Sequence, residues 1–344
     1  MQSLWQCNFW LYCHYFSFLH HYFIHTPQHR CMDKHFITLT ISATMSAGLL
    51  LMPGCKKDNT SSGSTPPPVV NYNVPPSTWQ EHWFDHKQLV SRVYYDTSLV
   101  VYYDADVKKD IAWPFSFVKD VWLYSRKVYG AEFGTDKRLY AVFHTGKYSG
   151  GHPGYYYSDN HDNRNVIDCG SNSSNAWESG AGNDLDLVTH EIGHIVESAA
   201  NNTKGSPAFA IWKDSKWMEI YIYDVYRGLG RTADAERWYN LMMNTTDNFP
   251  RTNTQWFKNW FYPIYTQYGG SAVLNKFFKM VALHFPKDGS QKFTRDMNWG
   301  EFVHFWSGAA GADLKAMASN AFGWSNEWEQ QLTKAKTDFP SVKY

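Results

Sequence analysis

The chain has 344 residues, with 32 lysines and arginines against 32 aspartates and glutamates. With zero formal net charge and no basic run longer than two residues, it lacks the electrostatic footprint of a nucleic-acid binder. Aromatic residues make up 18% of it; where they follow helical or strand spacing, core packing is the default reading, and a minority is left to stack on sugars or line a peptide cleft.

Residues 1–31 hold five histidines, three cysteines and many aromatics, which suit neither a targeting segment nor a core. Met32 is the better initiator, so 1–31 reads as a mis-called upstream start. Met32-Asp33-Lys34-His35 is then a short n-region, and Phe36 to Met52 an apolar, small-residue stretch of signal-peptide length. It ends at Leu50-Leu51-Met52-Pro53-Gly54-Cys55, directly before Lys56-Lys57, and resembles a bacterial lipobox. The run is short and rich in Ser and Thr for a spanning anchor. Residues 32–54 are therefore expected to be a lipoprotein signal peptide, with Cys55 acylated. Residues 55–77, rich in Ser, Thr, Gly and Pro, form a flexible tether. The expected location is the bacterial cell envelope, lipid-anchored to the membrane and facing periplasm or exterior. The folded part is one domain over 78–344. Cys169 is the sole cysteine beyond Cys55, which excludes an intrachain disulfide in that mature chain and reads as a buried thiol.

Within the domain, Leu89 to Tyr95 and Leu99 to Tyr103 are β-rich and joined by Asp96-Thr97-Ser98, the pattern of a hairpin. Phe115 to Tyr129 carries apolar residues at helical spacing and stops at Gly130. Leu139–His144, Gly154–Tyr157 and Asn165–Ile167 read as strands, with Gly150-Gly151-His152-Pro153-Gly154 as a loop. Asn183 or Asp184 caps a helix with a broad apolar surface (Leu185, Leu187, Val188, Ile192, Ile195, Val196), which Asn201-Asn202 stops. A second helix spans 215–228, capped by Asp214 or Ser215. The remainder is helical, at about 254–268, 271–284, 299–307, 312–320 and 325–337. Strands first and helices later is an α+β order, with a mostly helical C-terminal part.

The first of these helices carries His190-Glu191-Ile192-Gly193-His194. Histidines four apart stand on one helix face, a turn apart, and can reach one metal ion. The glutamate between them is offset around the helix, free to act as general base without ligating. This is the H-E-x-x-H arrangement of zinc metallopeptidases. A third protein ligand is expected. Ala200 stands where a third histidine six residues on would sit, and the next histidine is His284. The candidates are the carboxylates Glu197, Asp214, Glu219, Asp224 and Glu236. Glu197 follows His194 on the same helix and would struggle to approach from another direction. Glu219, among Trp217, Met218, Ile220 and Ile222, is a buried carboxylate in need of a partner and is the preferred ligand; the alternative is a structural Glu219 paired with Lys216 or Arg227.

On His190, Glu191, His194 and Glu219 the chain resembles the gluzincins, zincin peptidases whose third ligand is a glutamate on a second helix. The segment Gly308–Trp324 is also similar to C-terminal segments of enhancin-like gluzincins. The resemblance implies a zincin-like fold, a mixed sheet with the active-site helix against it, with Zn2+ as cofactor and hydrolysis of peptide bonds. It departs where many gluzincins have an aspartate four residues after the glutamate: here that position is Tyr223, with Asp224 one later.

Glu191 is expected to take the proton of the attacking water, and a further donor to stabilise the oxyanion. The donor candidates are Tyr221, Tyr223, Tyr226, Tyr262 and His284, with Tyr223 preferred because it lies one turn after Glu219. A strand before the zinc helix can bind substrate backbone as an added strand, with His152 as a polar contact at the cleft mouth. The expected partner is a protein or peptide, glycosylated or not. Two other readings stay open: a surface glycan- or protein-binding lipoprotein with a non-catalytic zinc site, and a glycopeptidase acting on glycosylated proteins.

Overall fold

A computed structural model of the chain describes residues 73–130 and 133–344. The expectations for the upstream start, the signal peptide, acylated Cys55 and most of the tether fall on residues 1–72, outside the described residues.

The β-branched and aromatic runs form β1 (Thr78–Gln80), β2 (Leu89–Tyr95), β3 (Leu99–Tyr103), β4 (Leu139–Thr145), β5 (Lys147–Gly154) and β6 (Asn165–Ser171). They build one six-stranded sheet in the order β1-β2-β3-β4-β6-β5. The β2–β3 hairpin is as expected: Asp96 accepts from the backbone N–H of Ser98 at 2.7 Å and of Leu99 at 2.9 Å, closing the turn. β3–β4 and β4–β6 are parallel, while β1–β2, β2–β3 and β5–β6 are antiparallel. A parallel β3–β4 pair needs a crossover, and α1 (Trp113–Tyr129) supplies it. The helices that follow are α2 (Asn183–Ala199), α3 (Phe209–Trp212), α4 (Lys216–Gly228), α5 (Thr232–Met242), a π-helical turn (Phe257–Phe261) running into α6 (Tyr262–Gln267), α7 (Ser271–His284), α8 (Trp299–Ala310), α9 (Lys315–Phe322) and α10 (Asn326–Asp338). The fold is α+β with a mixed, open sheet.

Strand side chains alternate between faces, and the sheet divides its core accordingly. Leu99, Val101, Tyr103, Ala141, Phe143, Ile167 and Cys169 pack into the main core under the helices. Val100, Tyr102, Tyr140, Val142 and Val166 face the other way, where Trp79 and Trp83 cover them.

Two local expectations change. The Gly150–Gly154 segment is part of β5 rather than a loop, and 155–157 lies beyond the strand. Its Gly and Pro are tolerated because β5 ends the sheet, where an edge strand can accept a proline. A register shift between Lys147 and Gly150 puts Tyr148 at a φ of 52° and its carbonyl so near Gly170 that a Cβ there would come within 1.8 Å. The α2 cap also differs. Helix α2 begins after Gly182 with no side-chain cap, because Asp184 turns back to accept from Ser179 Oγ at 2.7 Å and the Gly180 N–H at 3.1 Å.

Candidate metal centre

Two glycines set the position of α2. A Cβ at Gly193 would come 2.4 Å from Met218 Sδ and 2.7 Å from Tyr221, so the absence of a side chain is what lets α2 and α4 approach there. At Gly151 a Cβ would meet Glu191 Oε1 at 2.6 Å, so β5 runs directly against the glutamate of the motif. Glu191 is 3% exposed, and burial pushes its carboxyl up to about 8.

His190 Nε2 and His194 Nε2 are 3.1 Å apart. Asp214 joins them, with Oδ1 at 3.4 Å from His194 Nε2 and Oδ2 at 4.0 Å from His190 Nε2. The three offer ligand atoms all within 4.8 Å of one another. Burial, reinforced by neighbouring His194, lowers His190 to about 4 and keeps its imidazole neutral, as a metal ligand must be. Burial disfavours charge on His194 too, but its contacts with Asp214 and Glu197 outweigh it and raise its pKa. Asp214 moves the other way: burial raises its carboxyl, and the His194 contact more than reverses this, leaving it ionised. Two histidines and an ionised carboxylate could hold a divalent metal once His194 gives up its proton, with a position left for water. The Asp214 side chain is 39% exposed, so the group opens to solvent.

Behind the ligands, Glu197 Oε2 lies 3.3 Å from His194 Nδ1, and Trp212 Nε1 donates to Glu197 Oε1 at 2.5 Å. A carboxylate on the far ring nitrogen fixes the tautomer that presents Nε2 to a metal. Asp214 reaches the histidines from the connection between α3 and α4, just ahead of the Ser215 N-cap position, and does not cap the helix. Its neighbour Lys213 has φ 56° and ψ −160°, a region that residues with a Cβ seldom occupy. The strained backbone lies beside the residue that closes the site.

The structure therefore brings His190, Glu191 and His194 together as expected but groups Asp214, not Glu219, with them. On α4 the residues that meet α2 are Met218 and Tyr221. Glu219, one residue past Met218, is turned about 100° away. Its carboxyl is buried, raised to about 8 by desolvation, lies near Lys216 and Asp247, and accepts the Phe257 backbone N–H. Tyr223 sits among the rings of Tyr239, Phe257, Tyr262 and Tyr265, and no described contact links it to the motif. Tyr221 meets Ser125, and Tyr226 donates to Asp186 at 2.6 Å. Asp224 accepts from Tyr124, Tyr129 and Tyr265, away from the ligand histidines' hydrogen bonds, and Glu236 is exposed. His284 is the last residue of α7. His152 points to the other sheet face, in register with Asp168.

The sequence offers Asp214 both as a ligand and as a cap but favours Glu219 as the ligand, and it sets Glu197 aside as a ligand although its i+3 spacing suits support of His194. Tyr155, just after β5, forms a hydrogen bond with Ser198 and lies within the electrostatic reach of Glu197 and Glu191. Comparison of the chain with protein-family models and with curated proteins gives no match.

Proposed function

We propose that this chain is a zinc-dependent peptidase of the zincin kind, with zinc held by His190, His194 and Asp214 and with Glu191 as general base. The observation that carries the reading is the convergence of two histidines and a carboxylate beside a buried glutamate that no ligand role requires. When bound, zinc supplies a Lewis acid and brings the pKa of a coordinated water toward neutrality.

The chain's own residues supply the rest. Glu197 holds His194 by its Nδ1 edge, and Trp212 holds Glu197. Gly151 and the buried walls of α2 keep the Glu191 carboxyl dry, which favours its neutral form; a cation held by the adjacent histidines would favour the carboxylate, suited to accept the proton of an attacking water and return it to the leaving amine. β5 ends the sheet beside Glu191, so an extended peptide can pair along its free edge with its carbonyl near the base. Tyr155, directly after β5 and within the electrostatic reach of Glu191 and Glu197, takes the place of Tyr223 as the candidate oxyanion donor.

The test is Glu191→Gln, which preserves size and removes the base. Zinc content should be unchanged, and hydrolysis of a denatured-protein or mucin panel should fall by roughly two to four orders of magnitude. Full activity in a zinc-loaded Glu191→Gln protein would sink the mechanism.

We also propose that the domain is tethered to the cell envelope through lipid on Cys55, from the apolar run ending at that residue and the Ser/Pro-rich segment after it. Cys55→Ser should move the protein from membrane to soluble fractions. Retention on membranes through a high-salt wash would favour a spanning anchor instead.

A further inference from the structure

The face of the sheet turned away from α2 carries a second set of ligand-type side chains. His144 lies near the end of β4 and Asp168 in β6, both in the alternating positions that face Trp79 and Trp83. Glu81 follows β1 and His86 precedes β2, so the β1–β2 connection folds its polar residues onto the two parallel strands. All four are buried: Glu81 and Asp168 are 1% exposed, His144 0% and His86 7%. Their ligand atoms lie within 4.8 Å of one another. His144 Nε2 is 2.8 Å from Glu81 Oε1 and 3.1 Å from Asp168 Oδ1, and His86 Nδ1 is 2.9 Å from Asp168 Oδ2.

Glu81 Oε1, His144 Nε2 and Asp168 Oδ1 are sealed from solvent and face one another. Two carboxylate oxygens converging on one ring nitrogen in a protein interior need a proton or a cation between them. The outer contacts fit a cation. His144 Nδ1 is 2.9 Å from Asp104 Oδ2, the arrangement that turns Nε2 toward a metal. Trp83 Nε1 donates to Asp168 Oδ2 at 2.8 Å, and Gln88 N–H to Glu81 Oε2 at 2.9 Å, fixing both carboxylates with their other oxygens inward.

We propose that Glu81, His86, His144 and Asp168 form a second divalent-metal site, closed and structural, on the opposite sheet face from the His190–His194–Asp214 centre. Two imidazoles and two carboxylates suit a first-row divalent ion such as Zn2+. Four protein ligands and burial leave no open position, which marks a structural site rather than a hydrolytic one. Its effect is to pin the β1–β2 connection to β4 and β6. The site does not depend on the peptidase reading. In the competing arrangement a proton on His144, held by Asp104, Asp168 and Glu81 against the penalty of burial, does the same work.

The experiment loads the full chain with Zn2+, removes free metal by gel filtration and counts zinc in wild type, His86→Ala, His144→Gln and His190→Ala/His194→Ala. Residues 1–31 carry further histidines and cysteines, so the readout is the difference between variants of the same chain. His86→Ala and His144→Gln should each lose one equivalent of zinc relative to wild type, while His190→Ala/His194→Ala loses a different one and the losses add on combination. His86 lies at the rim, stacked on Tyr148 at 3.7 Å, so its alanine variant is the safeguard if His144→Gln fails to fold. Zinc content equal to wild type in a folded His86→Ala protein overturns the proposal and leaves an ion-pair network. Loss with His86→Ala but not with His190→Ala/His194→Ala upholds this site and rejects the peptidase centre.

Discussion

At the scale of single residues, the two histidines and the glutamate of the motif are legible because their spacing alone fixes a shared helix face. The proposed third ligand is not, because it lies on another element. Glu219 is on α4 and turned away from α2, whereas Asp214 is in the α3–α4 connection, and no helical period predicts where a connection places its side chain. Protonation gives a direct way to tell their roles apart. With a pKa near 8, Glu219 is mainly uncharged at neutral pH, and glutamine is close to its isostere. Glu219→Gln should keep the fold and zinc affinity. Asp214→Ala removes an ionised group that faces both histidines, and should weaken zinc binding by more than about a hundredfold, since losing even an outer partner of a ligand costs 10–100-fold. Competition against a chromophoric chelator measures both. The reverse order of effects would restore Glu219 as the ligand.

At the scale of elements, the hairpin, α1, α2, α4 and α7 are readable from periodicity and stop signals, and α7 matches its expected bounds. β5 is not, since Gly-Gly-His-Pro-Gly carries every local mark of a loop and becomes a strand only by pairing with β6. Helix α4 shows how a buried charge can be absorbed without a metal. Asp224 is fully buried and accepts hydroxyl protons from Tyr124 at 3.0 Å, Tyr265 at 3.0 Å and Tyr129, tying α4 to α1 and α6. Desolvation exceeds what these bonds return and lifts its pKa to about 6. An unfolded aspartate titrates near 3.9, so between about pH 4 and 6 the folded chain binds more protons than the unfolded one. Stability contributed by this residue therefore falls as pH rises through that window and is level above it. The gap of about two units corresponds to about 3 kcal/mol. Asp224→Asn removes the titration, so the stability of wild type minus that of the variant should drop by up to that amount from pH 4 to pH 7. Urea midpoints across that range test it, and parallel curves for the two proteins would refute it.

At the scale of the whole molecule, the α+β order is legible because strand and helix patterns segregate along the chain, whereas the sheet's two-sidedness is not. His144, His152 and Asp168 gain their meaning only when β4, β5 and β6 are set side by side and a period of two sends them to the face away from α2. On the proposed readings the same architecture would make metal a part of the fold's stability. The His190–His194–Asp214 ligands come from α2 and from the α3–α4 connection, and a cation bound there clips together segments separated by a strained residue, Lys213. An unfolded chain offers no such preformed site, so binding energy appears as folding energy. At free zinc about a hundred times the dissociation constant, one site adds about 2.7 kcal/mol. For a domain of this size each kcal/mol moves the melting temperature by about 2–4 °C. Chelation should thus lower the melting temperature of the full chain by roughly 5–10 °C for each occupied site, recoverable on adding Zn2+. The drop should shrink in His190→Ala/His194→Ala, whose melting point already lacks that site's contribution, and should stay unchanged in Glu191→Gln, which keeps every ligand. A scanning calorimetry series with and without chelator decides it. A chelator-insensitive wild type would mean that neither histidine cluster holds metal tightly enough to matter to the fold.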